Sequence, residues 1–394
     1  MLDERDQPLL AACIERARGG AFYAKRLAAV ADAQQFACAP LTRKSDLRSV
    51  GAAAFIAVEP SELFQYHETF GTTGRAAGSW FTRRDYANDL QRVQHWSAPF
   101  GGQRVLVRFP YALSMPAHLA QRAVEQRGGA IIAASSRNSV CTHVRAVRLI
   151  DELALGVLAC SPFEALLLAE AAKRLGLRRP SMRAICVAGE LLSDEYRALV
   201  EDAWGAPVSN LYGSTETGAL ATSCERNVLH ACDGQLLEVL ADEPPHGRCA
   251  AGELGLIVVT TLDREAMPLI RYVTGDYGRW FPPSACRCGR KGIVVEPVGR
   301  FRTKRREYAT ERDVLDLACR IARRSAARFF AAALTPDRID IEIESEAPPA
   351  PDTSAGADVS VRHVAPGTLV DSSQLLAECT ARKPRLVRVM ESTL

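Results

Sequence analysis

Three short stretches of the chain carry residue types suited to holding a phosphorylated ligand. The first is HETFGTTGRAAGSWFTRRDY, residues 67–86. In it Gly71, Gly74 and Gly78 are interleaved with Thr72 and Thr73. Glycines let the backbone turn several N–H groups into one concavity, and threonine hydroxyls add donors, so the stretch suits phosphate oxygens. The Gly-Lys pair of a Walker loop does not occur in it. Read alone, it is equally a glycine-rich turn between strands. The second stretch is NLYGSTETGAL, residues 210–220, which follows a strand and is expected to end in irregular chain. There Glu216 suits a hard cation, Thr215 suits a phosphate oxygen, and Tyr212 offers a ring for base stacking. The third is MPLIRYVTGDYG, residues 267–278, where Asp276 follows Gly275 at an expected strand end. A carboxylate there can accept hydrogen bonds from two ribose hydroxyls. Each of the last two, taken singly, also reads as an ordinary turn.

A separate group of side chains has the chemistry of a metal site. Cys224 and His230 are six positions apart, and Cys286 and Cys288 lie in the turn-like SACRCGRKG. Three thiolates and an imidazole suit tetrahedral zinc, and four protein ligands leave no position for water, so the role would be structural. The spacing is not that of a zinc finger. Free surface thiols are the plain alternative, and Cys232 is a competing ligand. Most of the twelve cysteines, such as Cys141, Cys160, Cys186 and Cys319, sit in apolar surroundings and are expected to act as small core residues.

These motifs need elements to position them. After about sixty helical and irregular residues a strand–helix alternation begins. RVLVRF (104–109), AIIAAS (130–135), GVLAC (156–160), RAICVAG (183–189) and PVSNLYG (207–213) read as strands. Helical spacing separates them, for example in PAHLAQRAVEQRG (116–128), in FEALLLAEAAKRLG (163–176) and from Ser193 on. This alternation predicts α/β architecture, with a parallel sheet under helices. From about 236 strands and turns predict a mainly β subdomain. Near 299 the chain breaks at the basic GRFRTKRRE. A helix then follows in ERDVLDLACRIARR, with Val314, Leu315, Leu317, Ala318 and Ile321 on one side. RIDIEIES alternates like a half-buried strand. EAPPAPDTSAGAD reads as a loop, and a strand, a short helix and a last strand, RLVRVME, end the chain. The expected division is 1–299 and a small α+β domain at 300–394.

The chain has 394 residues, 47% hydrophobic and 24% charged, with a net charge of +3. That is too much for one core, and it excludes a wholly disordered, collagenous or coiled-coil chain. The near-neutral balance offers no case for nucleic acid or membrane binding. No run reaches the ~18 apolar residues of a membrane span. The first twenty residues lack the pattern of a secretory signal, so a reducing, cytoplasmic setting without disulfides is expected.

In this order the three stretches resemble the adenylate-forming superfamily of acyl-CoA synthetases, luciferases and peptide-synthetase adenylation domains. The nearest branch looks like phenylacetate–CoA ligase. FYAKRLA (22–28), PLTRKSDLR (40–48), AGELLSDEYR (188–197) and GELGLIVVTTLDREAMPLIRY (252–272) add to the likeness, which covers about 20–300. The resemblance implies that Thr69, Gly71, Thr72, Thr73 and Gly74 cradle ATP phosphates. It implies that Gly189, Glu190, Tyr212, Gly213 and Ser214 line the adenine and acyl site. Thr215 would contact the α-phosphate, Glu216 would ligate magnesium, and Asp276 with Arg300 nearby would hold the ribose. Some members of the branch carry zinc at a similar Cys/His set. The implied reaction is ATP-dependent activation of a small, aryl carboxylic acid to an acyl adenylate, then transfer to coenzyme A. Members of this branch often form homodimers, which leaves oligomeric state open here.

Three positions depart from the family pattern. Phe70 replaces a small or hydroxylic residue. Phe301, Arg302 or Thr303 stands where a hinge acid is usual, and the glycine of the following loop is missing. Lys383 is the counterpart of the late catalytic lysine, beside an unusual Pro384, with a surface lysine as the plain alternative. Two other readings therefore stand beside the CoA ligase: an adenylating enzyme with an amine or carrier-protein acceptor, and a nucleotide-binding relative without turnover.

Overall fold

A computed structural model describes residues 6–28, 30, 35–69, 76–138, 140–177, 182–302, 310–335, 338–346, 358–371, 375–376 and 387–389. The chain forms two compact units. One takes residues 1–98, 111–123 and 209–300, and the other takes 99–110, 124–208 and 301–394.

The first unit is built on antiparallel strands. Gln235–Leu240, Gly255–Thr261, Tyr272–Phe281, Val294–Gly299, Leu229–Ala231, Gly218–Ser223 and Val208–Ser214 follow one another in that spatial order. Their burial is nearly continuous in Gln235–Leu240, Gly255–Thr261 and Gly218–Ser223, so both faces of this part of the sheet are covered. A two-stranded ribbon, Leu63–Glu68 with Gly78–Thr82, stands apart. Helix Arg83–Arg92 starts directly after it because Thr82 and Asp85 form a capping box. The N-terminal helices Asp6–Arg18 and Ala21–Arg26 bury Leu10, Cys13 and Tyr23 against Met267, Ile270 and Tyr272.

The second unit contains the expected parallel sheet, in the order Ala184–Ala188, Val157–Cys160, Arg104–Val107, Ala130–Ala133. Helices His143–Glu152, Pro162–Arg174 and Asp194–Trp204 cover it. The same unit holds a four-stranded sheet, ordered Val359–Val364, Ile339–Glu344, Phe330–Leu334, Val387–Val389. Helix Glu311–Arg324 packs on it through the face expected from sequence, since Val314, Leu315, Leu317, Ala318 and Ile321 are all buried. The segment from 301 onward is not an isolated body. One apolar cluster joins Leu166, Leu199 and Trp204 to Val314, Ile321, Phe330 and Ile341. Phe301, one of the three candidate hinge positions, packs against that cluster. Arg323 pairs with Asp202 and Glu195 at 2.8 Å each, but these ions are partly exposed and add little beside the apolar burial. The Pro/Ala/Ser-rich loop lies outside the described residues apart from its two ends. The fold is α/β, as expected from the alternation.

Candidate active site

The second phosphate-type stretch forms a hairpin. Strands Val208–Ser214 and Gly218–Ser223 pair antiparallel, with Ser214 opposite Gly218 and residues 215–217 as the turn. The expectation of irregular chain after the motif is thus corrected, because Gly218–Ser223 is wholly buried and pairs on both sides. Gly218 has φ +75°, and a Cβ there would sit 2.4 Å from Asp89 Oδ2. A Cβ on Gly213 would sit 2.3 Å from the Gly218 carbonyl oxygen. Both glycines are therefore demanded by close approach, which fixes the turn bearing Thr215 and Glu216.

Asp276 is not at the strand end expected from sequence. Strand Tyr272–Phe281 continues through it, but Leu256 pairs with Tyr277 and Val258 with Val273, so residues 274–276 bulge opposite Ile257 alone. Gly275, at φ +85°, makes the bulge accessible to the backbone. The bulge aims the Asp276 carboxylate at the hairpin. Tyr212 donates its hydroxyl to Asp276 Oδ2 at 2.9 Å, and Arg300 Nε donates to Oδ1 at 3.3 Å. Burial and the facing carboxylate push the Tyr212 phenol well above its ordinary pKa, so it stays a donor. From the same bulged strand, Tyr272 donates to Glu216 Oε1 at 3.2 Å. Lys44 Nζ lies 2.8 Å from that oxygen, and Glu216 is only 2% exposed. Lys44 and Tyr272 lie in segments 40–48 and 252–272, and no sequence signal gives either a role.

Thr69 closes the base of the first stretch. Its N–H donates to the Ala77 carbonyl at 3.0 Å, and its Oγ accepts from the Ala77 N–H at 3.2 Å. Phe70, Gly71, Thr72, Thr73 and Gly74 lie outside the described residues, as do Thr303, Lys383 and Pro384. Gly189 and Glu190 belong to the second unit, where they follow strand Ala184–Ala188. There Glu190 Oε2 accepts the Phe163 N–H at 3.2 Å. The structure thus brings Tyr212, Gly213, Ser214, Thr215, Glu216, Asp276 and Arg300 together with Thr69 in one unit.

The four proposed zinc ligands converge. Their donor atoms lie within 4.8 Å of one another. Cys224 Sγ and Cys286 Sγ are 3.8 Å apart, and Cys288 Sγ is 3.2 Å from His230 Nε2. A tetrahedral zinc with ~2.3 Å Zn–S bonds needs thiolates about 3.8 Å apart. His230 Nδ1 faces the Gly292 carbonyl at 3.1 Å, which selects the tautomer with Nε2 free to ligate. Burial holds the imidazole below its ordinary pKa, in the neutral form that ligation requires. Cys232 is outside this group, since its thiol is turned toward the Arg92 carbonyl. The donor set fits a metal, which would tie Cys224 and His230, after the hairpin, to the turn after the bulged strand.

The model for AMP-binding enzymes matches residues 27–259, more than half of the chain. The chain belongs to the AMP-binding enzyme family. Phenylacetate-coenzyme A ligase from Thermus thermophilus is 28% identical over 268 residues, covering 66% of this chain and 59% of that protein. Phenylacetate-coenzyme A ligase from Pseudomonas putida is 27% identical over 269 residues, covering 65% and 60%. The match thus spans about three fifths of the length of these curated relatives. A crystal structure of 2-hydroxyisobutyryl-CoA ligase with 2-HIB-AMP superposes with a TM-score of 0.80 at 21% identity, over 98% of this chain and 90% of that one. At that identity the likeness establishes the adenylate-forming ligase fold. Among the described residues no helix is long and apolar enough to cross a membrane.

Proposed function

We propose that this member of the AMP-binding family activates a small carboxylic acid, of the aryl class, with ATP and passes the acyl group to coenzyme A. One observation carries the reading. Two crossed hydrogen bonds tie the hairpin to the bulge, Tyr212 to Asp276 and Tyr272 to Glu216, so the two motifs act as one surface. Asp276, with its carboxylate partly exposed, holds the ribose hydroxyls beside Arg300. Tyr212, Gly213 and Ser214 flank the adenine and acyl groups. The Thr69 loop, with Gly71, Thr72, Thr73 and Gly74, cradles phosphates, and Thr215 donates to the α-phosphate.

The chemistry sets the demands on these groups. The substrate carboxylate attacks the α-phosphorus, a P–O bond forms, and pyrophosphate leaves with its electron pair. Both reactants are anionic, so the chain must align them and offset growing charge. Glu216 would hold magnesium, which supplies positive charge at the phosphate oxygens. Lys383, in the 300–394 segment, adds a second cation for this step, and residues 1–299 with Arg300 carry the rest. The thiol of coenzyme A then displaces AMP from the acyl carbon. Zinc at Cys224, His230, Cys286 and Cys288 serves structure. The setting is cytoplasmic, and small molecules, not nucleic acid or membranes, are the partners.

A second reading is favoured by the hinge. Phe301, one of the three positions (with Arg302 and Thr303) where the hinge acid would fall, is partly buried against an apolar cluster. A side chain so anchored resists the large φ/ψ change that a domain rotation requires. An amine or a carrier-protein thiol is then the acceptor. A pyrophosphate-release screen over aryl and aliphatic acids, with and without CoA, tests both. Release with an aryl acid and stoichiometric acyl-CoA supports the ligase. Release without thioester supports the other acceptor. No release with any acid rejects both and leaves a nucleotide-binding protein.

A further inference from the structure

We propose that Lys44 is a positioning residue that occupies Glu216 in the empty site and is exchanged for the divalent cation when the nucleotide binds. The proposal rests on the reading of Glu216 as a magnesium ligand. It starts from an oddity of the geometry. Glu216 is 2% exposed, and its Oε1 is taken by Lys44 Nζ at 2.8 Å and by the Tyr272 hydroxyl at 3.2 Å. A carboxylate removed from water needs polar partners in place of it, and a cation is the strongest of them. Lys44 supplies it.

The chain invests several buried groups in bringing Lys44 there. Thr42, two residues earlier, is fully buried and forms a parallel bridge with Tyr272. Its N–H donates to the Arg271 carbonyl at 3.0 Å, and its carbonyl accepts the Val273 N–H at 2.8 Å. The Thr42 hydroxyl donates to the Ile270 carbonyl at 2.8 Å. Its oxygen therefore accepts from Tyr23, 2.9 Å away, and the Tyr23 oxygen accepts the Ile270 N–H at 3.0 Å. Segments 22–28, 40–48 and 267–278 are thus stitched together at one point. What they deliver is the start of helix Lys44–Val50, with Lys44 on Glu216. One turn on, Arg48 has its Nε buried with no hydrogen-bond partner among the described residues. The mount is made of hydrogen bonds that do not involve the Lys44–Glu216 pair, so the pair can part while the mount stays.

The Lys44 side chain is 34% exposed while Glu216 is not, so the ammonium can withdraw toward solvent without unfolding its helix. Glu216 then exchanges one cation for another, and its charge never stands alone. The consequence is competition: Lys44 weakens the metal's hold in return for a stable empty site.

The test uses full-length Lys44→Met, Glu216→Gln and the double variant. ATP affinity is measured by equilibrium binding of a fluorescent ATP analogue in excess magnesium and in EDTA, and the dissociation constant in EDTA divided by that in magnesium is compared. Lys44→Met should raise the ratio roughly 10- to 100-fold, the worth of one charge-assisted hydrogen bond removed from competition. It should also lower the melting temperature of the ligand-free protein, and Lys44→Met/Glu216→Gln should restore much of that loss. An unchanged ratio in Lys44→Met, with Glu216→Gln abolishing the ratio, would overturn the exchange and leave the metal role intact. A ratio preserved in Glu216→Gln would overturn the metal role itself. A double variant no more stable than Lys44→Met would show that the pair does not hold the empty site.

Discussion

Removing the metal clip should loosen the strand that bears Asp276. The perturbation is Cys288→Ser, which replaces a soft thiolate by a hydroxyl that ligates zinc poorly. The ligands come from two places 62 residues apart, Cys224 with His230 and Cys286 with Cys288. In the chain-entropy description, a cross-link closing a loop of 62 residues is worth about 4 kcal/mol. For a unit of roughly 200 residues that corresponds to a fall of about 8–16 °C in melting temperature. The assay has two parts. Metal analysis of protein purified without chelator should give about one zinc per chain for the wild type and far less for Cys288→Ser. Thermal melts with and without a strong chelator should differ by the stated amount for the wild type and not for the variant. ATP affinity should weaken in the variant through the displaced bulge, whereas added zinc should rescue the chelated wild type. A wild type free of zinc that melts at the same temperature in chelator would refute the reasoning, as would a Cys288→Ser variant with full zinc content.

Two further outcomes follow from other parts of the site. Asp276→Asn should raise the ATP KM roughly 10- to 100-fold in the pyrophosphate assay with little change in kcat, as charged hydrogen bonds to the ribose are lost. Arg300→Ala should change KM far less because its side chain is 72% exposed, and an unchanged KM in Asp276→Asn counts against the ribose role. His67, at the foot of the glycine loop, has its pKa lowered from 6.5 to about 4 by burial and by the neighbouring His118. The unfolded chain then binds more protons below pH 6.5, so stability is complete above that pH and falls as pH drops toward 4, by up to about 3 kcal/mol. Urea melts at pH 7 and pH 4.5 on wild type and His67→Gln check this, and an equal pH dependence in both would exclude His67 as the source.

Much of this protein is written in local pattern. The strand–helix alternation of 104–213 needs only periodicity, because each element buries one face or one run whatever its neighbours do. The helix Glu311–Arg324 appears with its expected apolar face for the same reason, and its start is set by the Thr310 and Asp313 cap. Residue type alone also marked Glu216, Asp276 and the Cys/His group, since few side chains hold hard cations, hydroxyls or zinc. The tertiary structure decided what those residues face. No local signal shows that Gly218 ends a turn pressed against Asp89, which makes a hairpin of the second motif. None shows that Asp276 sits in a bulge opposite Ile257, because register depends on the partner strand. That Cys224 and not Cys232 joins the Cys/His group is set by which way each thiol turns on packing. Lys44 was visible as a lysine but not as the partner of Glu216, 172 residues later, because that pairing exists only once Tyr23, Thr42 and the bulged strand have locked together. Pairing across such a distance is fixed by buried hydrogen bonds whose partners no sequence window contains.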